Sequence, residues 1–177
     1  MRRRSERSMP SKRQPITMDA VYTMPGHLFR RMQQIAVSIF VEECKDFDLT
    51  PVQYAALVAI RTHPGIDATR LSLVIAFDRS TLGSVIGRLE AKKFIERRAD
   101  SADRRVKSLH LTAVGNALLQ KVMTAVDRAQ ERMVAPLRPA ERKTLMALLN
   151  RLVDLNNDVS RVPLRAEDAI EHFNKGG

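Results

Sequence analysis

The chain has 177 residues, which suits one domain with a sizeable core, or one domain with a dimerisation arm, and leaves little length for a second full domain. Its 30 Lys and Arg exceed 20 Asp and Glu, and the resulting +10 favours a polyanionic partner. One cysteine, Cys44, rules out an intrachain disulfide framework and a Cys-rich zinc site, and no HExxH, nucleotide-binding Gly loop or GxSxG elbow supports an enzyme or a cofactor.

Residues 1–18 hold Arg2, Arg3, Arg4, Arg7, Lys12 and Arg13 among Ser and Pro without periodicity, so a solvated, disordered tail or loose attraction to DNA phosphates is expected. No apolar run approaches the roughly 20 residues that span a bilayer, and the basic start lacks an apolar signal core. A cytoplasmic location is expected. A first helix runs from near Pro25 to about Lys45, with Leu28, Met32, Ile35, Ala36 and Ile39 on one stripe and Phe29 and Phe40 beside it. His27, Arg31 and Gln34 recur at i, i+4 and i+7 as a polar stripe, a pattern shared by plain solvated surface.

Thr50-Pro51-Val52-Gln53 is a capping box with Pro at the first helical position, and His63-Pro64-Gly65 ends the helix it starts. Asp67 caps a short helix through about Ala76, Phe77 marks a turn, and Asp78 caps the next helix. There Leu82, Val85, Ile86 and Leu89 share one side. The opposite side carries Ser80, Thr81, Gly83, Ser84, Gly87 and Arg88, small polar groups and glycines that suit close approach to a DNA groove. Periodicity alone does not separate that use from an ordinary solvated face.

Phe94 and Ile95 lead into a basic strand, and Val106 to Leu111 returns with Leu109 and Leu111 on one face. Between them Asp103, Arg104 and Arg105 crowd the tip; Asp103 can brace the Arg105 guanidinium, giving either a minor-groove probe or a solvated loop. Thr112 caps a helix carrying Val114, Leu118, Val122, Val126, Ala129 and Met133 at steps of three or four, which Pro136 stops. Its roughly 20 residues make a rod of about 30 Å. Arg138-Pro139 opens a last helix with Leu145, Leu148, Leu149, Leu152 and Val153 on a stripe. These faces lack partners within one small winged domain, so either a two-fold helical dimer or an intrachain bundle must cover them.

The segments DRSTLGSVIGRLEAKKFIERR and DSADRRVKSLHLTAVG resemble the MarR family of winged helix-turn-helix regulators, a resemblance running from about Tyr22 to Asn156. It implies a mostly α fold, a winged helix-turn-helix with a β-hairpin wing and a helical dimerisation region formed by N- and C-terminal helices. The implied organisation is a basic tail over 1–18, a single MarR-like domain over 19–160 and a C-terminal extension over 161–177. Within that domain the winged helix spans about 50–112, and dimerisation helices span about 22–45 and 113–156. By position, Ser80, Thr81, Ser84 and Arg88 would face the major groove. Arg105 would enter the minor groove braced by Asp103, with Arg104 beside it. Family members usually place Gly where Lys93 stands, so either Lys93 takes a strained left-handed conformation or the turn is built differently.

The resemblance implies a transcriptional repressor that binds double-stranded operator DNA as a homodimer and releases it when a small effector binds. The opening MPGHLFRRMQQ is similar to regulators of aromatic acid breakdown, including hydroxycinnamate and nicotinate pathways. The expected effector is an aromatic carboxylate or its coenzyme A thioester. Its binding residues would be Met24, His27, Arg30, Arg31, Gln34, Tyr54, Leu57 and Phe77, with Arg30 and Arg31 serving the thioester's phosphates. Two other readings stay open: an architectural DNA binder without sequence preference, and a redox regulator sensing oxidants through Cys44, which could equally be a buried inert thiol.

Overall fold

The computed structural model describes residues 16–99 and 107–167. The expected basic tail lies outside these residues except for its last few positions, as does the end of the C-terminal extension. By contacts the described residues form two units, one up to Ile35 and one from Ala36, with the boundary inside a helix.

In the first unit a short helix not expected from the sequence, α1 (Met18–Tyr22), starts where the Thr17 hydroxyl accepts from the Ala20 amide at 3.3 Å. Pro25 then opens α2 (Pro25–Glu43), where its missing N–H is no loss. Leu28, Phe29, Met32 and Ile35 all stand exposed in this unit.

The second unit holds the core. At α3 (Pro51–Thr62) the expected capping box forms: the Gln53 amide donates to Thr50 Oγ1 at 3.3 Å and the Thr50 amide to Gln53 Oε1 at 3.1 Å. Asp67 starts α4 (Ala68–Val74), accepting from the amides of Thr69 and Arg70 at 2.7 and 3.0 Å. This helix ends two residues before the expected Ala76, because Ala76 itself takes a left-handed φ of 48° and turns the chain. Next come α5 (Arg79–Ala91), β1 (Ile95–Ala99) and β2 (Lys107–Leu111), the strands pairing antiparallel from Ile95 opposite Leu111 to Ala99 opposite Lys107. Ile66 adds a bridge to Leu109 that the sequence did not announce.

Thr112 caps α6 (Ala113–Val134) by accepting from the Gly115 amide at 3.0 Å, and α7 (Pro139–Asn156) begins where Glu141 accepts from the Arg138 amide at 2.8 Å. Leu57, Ile60, Leu71, Leu82, Leu89, Ile95, Leu109, Leu119 and Val122 interlock in one core. Each contributes about 1.5–3 kcal/mol on burial. On α6 the buried stripe is Gly115, Leu119, Val122, Ala125, Val126 and Ala129; the expected Leu118 packs half-buried against it, while the expected Val114 is exposed, so the first turn is rotated from the expected stripe. The root of the hairpin dictates this rotation: a Cβ on residue 115 would sit 2.1 Å from the Phe94 carbonyl oxygen, so only glycine can face it.

The end of α2 joins this core through Phe40, and Cys44 just beyond it is fully buried. Glu43 pairs with Arg128 at 3.1 Å and Arg132 at 3.0 Å, fastening α2 to α6. In contrast α7 buries no residue. Among the described residues no helix is long and apolar enough to cross a membrane.

Candidate nucleic-acid interface

The core and the solvent divide α5 cleanly. Leu82, Val85, Ile86 and Leu89 are buried, while Ser80, Thr81, Gly83, Ser84 and Arg88 are exposed. A Cβ added at Gly83 or Gly87 would meet nothing within 4 Å, so packing among the described residues does not require either glycine. The side predicted to be free for contact is open down to the backbone.

Both ends of α5 are fixed locally. At its start Asp78 Oδ1 accepts from the Ser80 amide at 2.8 Å and from the Ser80 hydroxyl. The Ser80 hydroxyl, then the Ser80 amide, hold the Asp78 carboxyl below the usual carboxylate range, so it keeps its negative charge at the positive end of the helix. One turn on, the Ser84 hydroxyl donates to the Thr81 carbonyl at 2.8 Å. At the far end the Phe94 amide reaches Leu89 O at 3.0 Å and the Lys93 amide reaches Glu90 O at 2.8 Å, the two bonds of a Schellman turn. Lys93 adopts the left-handed conformation, φ 58°, so the turn is the one glycine favours and lysine carries its strain.

The wing is anchored to that turn. The Thr112 hydroxyl donates to Lys93 O at 2.7 Å, and Phe94 O lies 3.1 Å away. Arg97 of β1 pairs with Glu90 of α5 at 3.0 Å, and Arg98 pairs with Glu96. Of the residues assigned to the wing tip, Asp103, Arg104 and Arg105 lie outside the described residues. Sequence reasoning passed over Arg79, the exposed first residue of α5, although its place directly after the cap is a signal that was available.

The residues expected to hold an effector divide between the units. In the first, Met24, Arg30, Arg31 and Gln34 are exposed, Arg31 Nη1 donates to Gln34 Oε1 at 3.2 Å, and the His27 and Tyr22 rings are 5.3 Å apart. In the second, Leu57 is wholly inside the core, Phe77 is half-buried, and the Tyr54 ring lies 6.0 Å from that of Phe40. Tyr54 also lines a hollow of about 360 Å³ with Val58, Thr62, His63, Val74 and Ile75. Burial pushes the Cys44 thiol up, with the Glu43 charge adding to the effect, so Cys44 lacks the thiolate character of a redox sensor.

A MarR family model matches residues 47–106, from the turn before α3 into the wing. The chain is 30% identical over 129 residues to the HTH-type transcriptional repressor NicR of Pseudomonas putida, covering 73% of this chain and 82% of that one. The structure of Bordetella bronchiseptica BpsR, whose DNA binding is regulated by 6-hydroxynicotinic acid, superposes with a TM-score of 0.71 at 31% identity, covering 80% of this chain and 99% of that one. A mutant of E. coli MarR complexed with operator DNA superposes with a TM-score of 0.67 at 26% identity, over 72% of this chain and 92% of that one. With the buried and open sides of α5 and its hairpin wing, these likenesses make the protein a DNA-binding transcriptional regulator rather than an enzyme, and the chain belongs to the MarR family.

Proposed function

We propose that the protein is a repressor which binds an inverted-repeat operator as a homodimer and releases it on binding an aromatic carboxylate or its coenzyme A thioester. The observation that carries this reading is the open side of α5, where Ser80, Thr81, Ser84 and Arg88 stand exposed around two glycines on which a Cβ would meet none of the described residues. Hydroxyls and a guanidinium at that spacing reach base edges in a major groove. Arg105, with Asp103 and Arg104, serves the adjacent minor groove. The winged helix of residues 50–112 is the reading head in this proposal, and residues 22–45 and 113–156 form the dimer.

Repression is the role named for NicR, and control of DNA binding by an aromatic acid is that stated for BpsR. NicR supports the repressor role proposed for this chain, and BpsR supports the effector class. The cation and imidazole assigned to the carboxylate are Arg31 and His27.

Sequencing the genomic fragments that the protein selects tests the DNA reading. Inverted repeats with half-sites about 10 base pairs apart are expected; an affinity ratio near unity between selected and random DNA would make it an architectural binder instead. Calorimetry with benzoate-like, hydroxycinnamate-like and pyridine carboxylates and their thioesters tests the effector. The assignment fails if none binds more tightly than millimolar, or if Arg31→Ala and His27→Ala bind as the wild type does.

A further inference from the structure

Beyond α7 the chain turns back onto the helix-turn-helix. A 3-10 turn, Asn157–Val159, begins a loop that Asn157 closes, its amide donating to Leu164 O at 3.2 Å and its Oδ1 accepting from the Leu164 amide at 2.8 Å. Ser160 stiffens the loop from within, its hydroxyl donating to Val162 O at 3.0 Å and accepting from the Val162 amide at 3.2 Å. The loop touches both helices of the motif. The Arg165 amide donates to Leu73 O, near the end of α4, at 3.3 Å. The Arg161 guanidinium stands 3.4 Å from Asp78 Oδ2, on the carboxylate that caps α5.

We propose that Arg161 is a positioning residue for DNA reading, acting through Asp78. The two carboxylate oxygens have separate tasks: Oδ1 holds the first turn of α5 through Ser80, and Oδ2 takes Arg161. A charged cap suits the helix dipole, yet the same negative charge lies at the end of α5 that must approach phosphates. At physiological salt such repulsion acts over about 8 Å. A cation on the outer oxygen offsets it without removing the cap, since Arg161 meets Oδ2 and leaves Oδ1 to Ser80. A loop bound to both α4 and α5 also resists a change in the angle between them. Nothing near Arg161 in the sequence hints at this pairing, since its partner lies on the far side of the wing, α6 and α7.

This inference rests on the reading that α5 contacts operator DNA, and a wild-type protein that selects no operator fails that reading before the inference is reached. Given an operator, binding of the full chain is measured across a salt series for wild type, Arg161→Ala, Arg161→Lys, Asp78→Asn and Asp78→Asn with Arg161→Ala. Arg161→Ala is expected to lose about three- to fivefold in affinity at low salt, the size of an exposed charge interaction, and less at high salt. Arg161→Lys should recover most of the loss. In the Asp78→Asn background, where Asn still caps the helix, removing Arg161 should cost nothing further. Unchanged affinity in Arg161→Ala overturns the proposal. So does an equal loss in both backgrounds, which makes Arg161 a direct phosphate contact, or a loss that lysine does not recover and that follows a fall in melting temperature.

Discussion

At the scale of single residues, Lys93 carries a left-handed conformation with no side-chain hydrogen bond or ion pair to the described residues to offset it. Both bonds of the turn after α5 are made by backbone groups, and the Thr112 hydroxyl meets the Lys93 carbonyl, which any residue supplies. A left-handed φ costs a non-glycine residue about 1–2 kcal/mol, partly offset by the greater freedom glycine loses on folding. Lys93→Gly should therefore stabilise the fold by roughly 0.5–1 kcal/mol, raising the melting temperature by about 1–4 °C. Thermal unfolding followed by circular dichroism checks it, and an unchanged or lower midpoint would mean that the lysine side chain contributes more than its backbone loses. Asp48, also left-handed at φ 48°, differs in that Lys92 pairs with its carboxylate at 2.7 Å. Aspartate tolerates that region better than lysine does.

At the scale of elements, α5 reconciles a weak helix with an exposed working side. Gly83→Ala places a methyl group in open space and should strengthen the helix by up to about 1 kcal/mol. The same methyl group would stand between the helix backbone and a bound groove, so operator affinity should fall in the variant whose stability rises. Measuring both on one preparation separates this from a solvated helix face, for which stability would rise and binding stay constant. The helix boundaries were legible because caps are bonds between residues two or three apart: Thr50 with Gln53, Asp67 with Arg70, Asp78 with Ser80 and Thr112 with Gly115. The buried and open sides of α5 were legible for a similar reason, since helical spacing sorts them before any tertiary contact forms. The rotation of α6 was not, because it follows from Gly115 meeting the Phe94 carbonyl across the hairpin. Nor were the bridge from Ile66 to Leu109 and the pairing of Arg161 with Asp78, which depend on segments meeting only once folded.

At the scale of the whole molecule, α7 presents an apolar surface that the described residues leave exposed. On α7, Leu148, Leu152, Val153 and Leu155 are 54, 46, 59 and 72% exposed, with Leu148, Leu152 and Leu155 at i, i+4 and i+7, and apolar stripes of this kind are covered by association. A second copy of the chain covers it in the proposed dimer and sets two copies of α5 about one DNA turn apart. Light scattering should then give twice the chain mass of 20.0 kDa. Placing two carboxylates in the seam, as Leu148→Glu with Leu152→Glu, should shift the protein toward monomer and weaken operator binding together. A wild type that scatters as a monomer, or a charged variant that remains a dimer, would remove α7 from the interface. Periodicity exposed the stripe on α7, but a stripe does not say whether its cover comes from the same chain or another.

The fork of Arg128 and Arg132 on Glu43 is one place where this architecture meets acid. Hydrogen bonds from Arg128 first and Arg132 second hold the Glu43 carboxyl below its ordinary value. A carboxyl whose pKa is lowered by folding adds stability that is complete above its unfolded value and drains away as the pH falls through the folded one. The joint between the end of α2 and α6 therefore keeps its charges throughout the neutral range and loosens only in acid. A proton taken up near neutrality leaves this latch closed, so any pH response of operator release in that range must enter through another group.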